Sequence, residues 1–325
     1  MKIVYTGLVG DIGGTNARLA VVDSAGRIRN PKTYPAEEYG SLTEVIAEYL
    51  ETTVGRQRLY SAVLAVAGPV VDGEIEFTNL DWRVSEAELI GAFEFQAVRL
   101  VNDFAAQAMA APVLDADDLR PIGDVSRGAD SAPMLVLGAG TGFGVAILAR
   151  TDRGDVAIPS EGGHAGFAPY DQVEAAIWEG LRKTHGRVSI ERLLSGPGLY
   201  ALYRGLAEVR GVAADLKDEK EVMAAGQQGG DLLAEETLER FCEILGSAAG
   251  DIALTTGARG GVYVAGGIAP RLADRLASGG FRRRFEDKGR LSDFMHDIPT
   301  YLIVHPYAAL VGAARLLEHL ETSPL

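Results

Sequence analysis

Two stretches of this 325-residue chain repeat one pattern: LVGDIGGTNARLAVV from Leu8, and LVLGAGTGFGVAILA from Leu135. Each has an apolar run of strand-forming residues, a turn of glycine and threonine, and a second apolar run. Glycine supplies the unusual backbone angles of a tight turn, and two apolar runs joined by it read as a β-hairpin. One hairpin constrains little. Two, each opening one half of the chain, predict a duplicated α/β architecture. A chain of this length is comfortable as two domains.

The rest of the text fits around the hairpins. SLTEVIAEYLETT spaces Leu42, Val45, Ile46 and Leu50 as one face of a helix. SAVLAVAGPV, GEIEFTN, GGVYVAGGI and YLIVH read as strands. VSEAELIGAF opens as a helix with Ser85 and Glu88 in capping-box positions. AVRLVNDFAAQAMAA is a strand that turns at Asn102-Asp103 into a helix. Further helices are expected around 171–185 and 231–256, and the chain ends on a helix introduced by Pro306. Residues 115–133 are polar, with two prolines and two glycines, and read as a crossing between domains.

Composition limits the function. The net charge of −14 repels nucleic acid and anionic membranes, so neither is an expected partner. It does not exclude a nucleotide, because local backbone amides bind phosphate despite the global field. The single cysteine, Cys242, builds neither a disulfide framework nor a cysteine-rich zinc site. The start of the chain lacks a signal-peptide pattern, and no apolar run approaches the ~20 residues of a membrane span. A cytoplasmic protein is expected.

Successive turn amides form an anion-binding concavity, and threonine adds a hydroxyl donor. A Gly-rich turn between strands is by itself usually just a tight turn. Two of them, one carrying Asp11 and Thr15 and the other Thr141, shift the reading towards a polyphosphate held from two sides. Asp11 fits beside phosphate only through a cation, and Mg²⁺ is suited to one carboxylate, often through water, plus phosphate oxygens. No G-x-x-x-x-G-K-[ST] motif occurs. The second hairpin misses the dinucleotide fingerprint because Phe143 stands at the third glycine and a strand follows.

With these motifs in order, the chain resembles the actin/hexokinase/Hsp70 ATPase superfamily: LVGDIGGTNARLAVVD its first phosphate motif, LGAGTGFGVAIL its second, and GGVYVAGGIAPRL its adenosine motif. Within it, LVNDFAAQAMA, SEGGHAGFAP, SIERLLSGPGLYALY, FEDKGR and HDIPTYLIVH resemble the bacterial glucokinase family over essentially the whole chain. The resemblance implies a two-domain actin-like (ribonuclease H-like) α/β fold with a cleft between domains. Residues 1–113 plus 304–325 would form the smaller domain and 114–303 the larger. It implies ATP-dependent phosphorylation of the glucose 6-hydroxyl, giving glucose 6-phosphate and ADP at the entry to glycolysis, and a homodimer. Gly10, Asp11, Gly13, Gly14, Thr15 and Asn16, with Gly140, Thr141 and Gly142, would hold ATP phosphates and Mg²⁺, the cation through Asp11. Gly266 and Gly267 would let adenosine lie against backbone.

Such a transfer needs a base at the attacking oxygen. The resemblance gives that role to Asp103. By residue type alone, Asn102 and Asp103 both read as helix caps, and the two readings coexist if Asn102 caps while Asp103 points into the cleft. The resemblance places Glu161, His164 and Glu191 around the sugar hydroxyls at C1 to C3, Asn102 and Asp103 at C4 and C6, and Asn79 of TNLDW in a sugar loop. Carboxylates, amides and imidazole suit vicinal hydroxyls because each can meet two. Glu191 alone would more often be a solvated helix residue. A zinc role for His164, as in the ROK sugar kinases, is rejected because the cysteine cluster is missing. Three rivals follow from the same residues. One is a kinase for fructose, mannose or an N-acetylated hexose. The second is a sugar-responsive regulator, disfavoured because the first phosphate motif begins by residue 10 and leaves no room for a helix-turn-helix. The third, an actin-like filament former, would not need the EGGH and Asp103 constellation.

Overall fold

The computed structural model describes residues 4–55, 57–77, 80–124 and 127–322. The chain divides into two compact units. One comprises Met1–Leu114, Asp155–Pro159 and His305–Leu325, and the other Asp115–Gly154 and Ser160–Val304.

The first unit contains strands β1 (Tyr5–Ile12), β2 (Asn16–Asp23), β3 (Ile28–Pro35), β4 (Ser61–Val66), a small ribbon of β5 (Glu74–Glu76) and β6 (Arg83–Ser85), and β7 (Ala97–Asn102). Five of them form a sheet in the order β3-β2-β1-β4-β7. β1 and β2 are the antiparallel hairpin, and β4 and β7 follow parallel. The strands alternate with period two, as a sheet covered on both faces requires. Leu8, Ile12, Leu19, Val21 and Leu64 face one way, onto Leu42, Val45, Ile46 and Tyr49 of the helix Leu42–Tyr49. Val9, Ala20, Val22 and Val63 face the other way, onto Leu310, Ala313, Ala314 and Leu317 of the helix Ala308–Thr322. That helix also packs on Asp103–Ala110, where small side chains (Ala65, Ala106, Ala309) let the backbones approach.

The second unit repeats the plan. Its strands are β8 (Leu119–Pro121), β9 (Met134–Ala139), β10 (Phe143–Thr151), β12 (Gly261–Ala265) and β13 (Thr300–Ile303), with β11 (Gly154–Ser160) at the unit boundary. The sheet order is β11-β10-β9-β12-β13-β8. Here too a hairpin, β9 with β10, is antiparallel, and the next two strands are parallel to its first. The polar segment after residue 115 is not a plain crossing: Leu119–Pro121 pairs antiparallel with β13 and closes the sheet edge. Its hydrogen bonds to a neighbouring strand stabilise it without any apolar pattern of its own.

Leu135, Leu137, Val262 and Val264 pack against the helices Gly196–Arg210, Leu232–Thr256 and Gly280–Glu286. Two arginines are buried in this layer. Arg284 meets Glu174 through two contacts of 2.9 and 3.2 Å and donates to Ser247 Oγ at 2.8 Å. Arg282 donates to Ile298 O (2.7 Å), Thr300 Oγ1 (3.1 Å), Met295 O (3.3 Å) and His296 O (2.7 Å), and pairs with Glu286. It thus supplies donors to the carbonyls of His296 and Ile298 just before β13, while Met295 O also accepts from Ile298 N at 3.1 Å. Replacing it with methionine keeps the stem and orphans the carbonyls of His296 and Ile298. Arg282→Met is expected to cost about 2–4 kcal/mol, read as a lower thermal unfolding midpoint. An unchanged midpoint would show the carbonyls find other partners.

Candidate active site

The first set of candidate residues lies wholly in the first unit. The turn between β1 and β2 is closed by Gly13 N donating to Asn16 O at 2.9 Å, and Thr15 stands exposed at its tip. Hairpin register sets Asp11 directly opposite Arg18, and Arg18 Nη1 donates to Asp11 Oδ2 at 2.8 Å. Burial raises the Asp11 carboxyl above its ordinary range, and the Arg18 guanidinium works against that rise. Arg18 was not among the sequence candidates. Counting residues back across the Gly13–Thr15 turn would have found it.

At the end of β7, Asn102 is the N-cap of the helix Asp103–Ala110, its side chain accepting from Ala105 N at 3.1 Å. Asp103 is the first helical residue. Its Oδ1 accepts from Phe104 N (2.9 Å) and Asn102 Nδ2 (3.1 Å). Burial, with the Asp11 charge adding to it, pushes Asp103 up to about 7, against the hydrogen bonds that favour its ionised form. A carboxyl poised there is half protonated near neutrality, which suits a general base. Asn79 lies outside the described residues.

The second set lies in the second unit. The turn between β9 and β10 is closed by Gly140 N donating to Gly142 O at 2.8 Å, with Thr141 exposed at the tip. Glu191, in a short helical turn Ile190–Arg192, reaches it: Phe143 N donates to Glu191 Oε2 at 2.8 Å. Glu191 is therefore not a free solvated side chain. His164 stands between two carboxylates, with Nδ1 at 3.9 Å from Glu191 Oε1 and Nε2 at 3.8 Å from Glu161 Oε2. Those distances exceed a hydrogen bond. Glu161 and His164 are largely exposed, at 72% and 59%, against 32% for Glu191. The three make a polar cluster able to exchange hydrogen bonds with an incoming polyol.

After β12 come Gly266 and Gly267. Gly266 has φ +85°, and a Cβ there would fall 2.4 Å from Ala139 O, so glycine is required by the β9–β12 approach itself. Gly267 has no heavy atom within 4 Å of where its Cβ would be. Among the described residues no group of three or more His, Cys, Asp or Glu could hold a metal ion. No described helix is long and apolar enough to cross a membrane.

A duplicated sheet in which each half opens with a Gly/Thr hairpin defines an actin-like ATPase fold, and the chain is an enzyme of the kinase class built on it. The family model for glucokinase matches residues 8–320, so the chain belongs to the glucokinase family. A curated glucokinase of Caulobacter sp. (strain K31) is 49% identical over 97% of this chain and 95% of its own length. The crystal structure of glucokinase from an Antarctic psychrotroph superposes with a TM-score of 0.87 at 40% identity, covering 96% of this chain and 98% of that one. The fold also matches a ROK family glucokinase from Streptomyces griseus, solved in complex with glucose and AMPPNP, with a TM-score of 0.64 at 20% identity over 97% of this chain and 99% of that one.

Proposed function

We propose that this chain transfers the γ-phosphoryl group of ATP to the 6-hydroxyl of glucose, giving glucose 6-phosphate and ADP at the entry to glycolysis, with Asp103 as general base. The observation that carries the reading is Asp103: a carboxyl fixed at a helix start by two hydrogen bonds, pushed up to about 7, in the same unit as the Gly10–Asn16 hairpin. Membership of the glucokinase family supports the substrate pair.

Ionised Asp103 accepts the proton of the sugar hydroxyl as its oxygen bonds to the γ-phosphorus. The bond from that phosphorus to the bridging oxygen breaks, and the electron pair leaves with ADP. The proton then passes from Asp103 to water. Glu161, His164 and Glu191 meet the hydroxyls at C1 to C3, Asn102 meets that at C4, and Asn79 contacts the sugar from its loop. The hairpin turns that carry Gly10, Gly13, Gly14, Thr15 and Asn16, and Gly140, Thr141 and Gly142, receive the phosphates through the threonine hydroxyls and the turn amides other than those of Gly13 and Gly140, which close the turns. Gly266 and Gly267 leave adenosine room against backbone.

Asp11 fits Mg²⁺ arriving with the nucleotide, since a single carboxylate suits a cation that keeps its waters and takes the rest of its oxygens from phosphate. When bound, that cation neutralises charge on the phosphates. Arg18 gives Asp11 a cationic partner at 2.8 Å that offsets part of the rise burial imposes on its carboxyl, and a bound cation would favour the ionised form further.

The reading is tested by MgATP-dependent ADP release with glucose, fructose, mannose and N-acetylglucosamine. Turnover is expected with glucose, at a specificity at least about 10-fold above the others, the difference that one well-matched polar contact makes. Equal turnover with another hexose would move the assignment to a broader hexose kinase. Sugar binding with no ADP release from any sugar would favour a regulator.

A further inference from the structure

We infer that Glu191 is a positioning residue for the nucleotide as well as a sugar contact: one carboxylate oxygen holds the second phosphate hairpin in shape while the other faces the sugar cluster. The inference rests on the proposed kinase reading and adds a coupling between its two substrates.

The geometry divides the carboxylate cleanly. Oε2 accepts from Phe143 N at 2.8 Å, and Oε1 faces His164 Nδ1 across 3.9 Å. Phe143 is the first residue of β10, so its amide sits where the Gly140–Gly142 turn joins its second strand. The phenyl group is buried, which fixes the residue from the other side. Gly142 permits the reach: a Cβ there would stand 2.6 Å from Glu191 Oε2 and push the carboxylate away. The backbone of Glu191 is also anchored, since its carbonyl accepts from Ser195 Oγ at 2.9 Å. Ser195 caps the helix Gly196–Arg210, and Gly196 N donates to Gly140 O at 2.8 Å. The hairpin turn is therefore held at Gly140 by the helix start and at Phe143 by Glu191.

A hydrogen bond to an ionised acceptor is stronger than a neutral one, and it orders a turn made largely of glycine. An ordered turn presents its amides to phosphate without a further entropic cost on binding. A sugar hydroxyl bound at Oε1 restrains the same carboxylate and so restrains the hairpin. Linkage makes the effect reciprocal: glucose should tighten nucleotide binding, and nucleotide should tighten glucose binding by the same factor.

Two variants separate the roles. Glu191→Gln keeps the reach and an oxygen acceptor but loses the charge. Glu191→Asp keeps the charge but, one methylene shorter, cannot reach Phe143 N. The measurement is calorimetric binding of AMPPNP with Mg²⁺ to the full chain, with and without saturating glucose. The wild type is expected to bind AMPPNP several-fold more tightly with glucose. Without glucose, Glu191→Asp should weaken AMPPNP binding about 10-fold, while Glu191→Gln should change it by no more than about threefold. In Glu191→Asp, glucose should no longer tighten AMPPNP binding. Equal AMPPNP affinity for the wild type and Glu191→Asp would overturn the inference and leave the kinase reading standing. A wild type that binds no AMPPNP would overturn both.

Discussion

Replacing Asp103 with asparagine should cut kcat by about 10²–10⁴-fold, the usual worth of a positioned base, while making the protein more stable above neutral pH. Both halves follow from one fact. The Asp103 carboxyl is pushed from its ordinary value of 3.8 up to about 7, chiefly by burial and then by the charge on Asp11. The unfolded chain ionises this group freely near pH 4, whereas the folded chain resists ionising it until about pH 7. Between those values the folded state binds more protons than the unfolded, so stability falls as pH rises. The favourable difference is fully present below the unfolded value and is lost through about pH 7. Asparagine carries no charge to desolvate, and its side-chain oxygen can still accept from Phe104 N. At pH 8 Asp103→Asn should therefore raise the unfolding midpoint, by a stabilisation on the order of 2 kcal/mol, and at pH 4 the difference should vanish. In the wild type, kcat/KM should fall about tenfold per pH unit below about 7, because the base must be ionised to accept a proton. Turnover that survives in Asp103→Asn would remove the base assignment. A variant inactive yet no more stable at pH 8 would leave the base in place and remove burial as the cause of its raised value.

What could be read from the sequence was whatever is local and periodic. The two Gly/Thr turns between apolar runs become the β1–β2 and β9–β10 hairpins, and NDF becomes a strand end, a cap and a helix start, with Asn102 capping and Asp103 first in the helix. The strand Leu119–Pro121 was not legible, because three residues at a sheet edge draw their stability from pairing with β13 and not from their own pattern. Nor were the ion pairs between distant segments. Glu174 and Arg284 lie far apart in the chain, and only packing of the helices Gln172–His185 and Gly280–Glu286 brings them together. Glu191 is the instructive case among the candidates. Its residue type suggests a solvated helix position, and the family resemblance a sugar contact. Its bond to Phe143 N depends on a glycine 49 positions earlier, where a Cβ would stand 2.6 Å from its carboxylate, and no periodicity records that.

The same dependence on close approach predicts that Gly→Ala will have opposite signs in two helices of this chain. Alanine is the better helix former by about 1 kcal/mol, so the substitution stabilises a helix wherever the added methyl has room. Gly180, within Gln172–His185, has no heavy atom within 4 Å of its would-be Cβ, and Gly180→Ala should raise the unfolding midpoint. Gly312, within Ala308–Thr322, is the contrary case. A Cβ there would lie 1.7 Å from Ala106 O, 2.6 Å from Ala106 C and 3.1 Å from Ala110 N. These are backbone atoms of the helix Asp103–Ala110, which cannot yield by rotating a side chain. The two helices must separate, which loses the contacts among Ala65, Ala106 and Ala309. Arg315, one turn further along, adds to the loss, because it donates to Met109 O at 2.5 Å and holds the far end of the Asp103 helix. Overpacking of a tight core costs about 1–3 kcal/mol, and a clash with backbone belongs at the upper end, so Gly312→Ala should lower the midpoint by several degrees. It should also lower kcat without contacting substrate, because the helix that moves begins at Asp103. If Gly312→Ala stabilised the protein as Gly180→Ala does, the helices would not be in contact at this point, and the geometry that carries the proposed base would have to be redrawn.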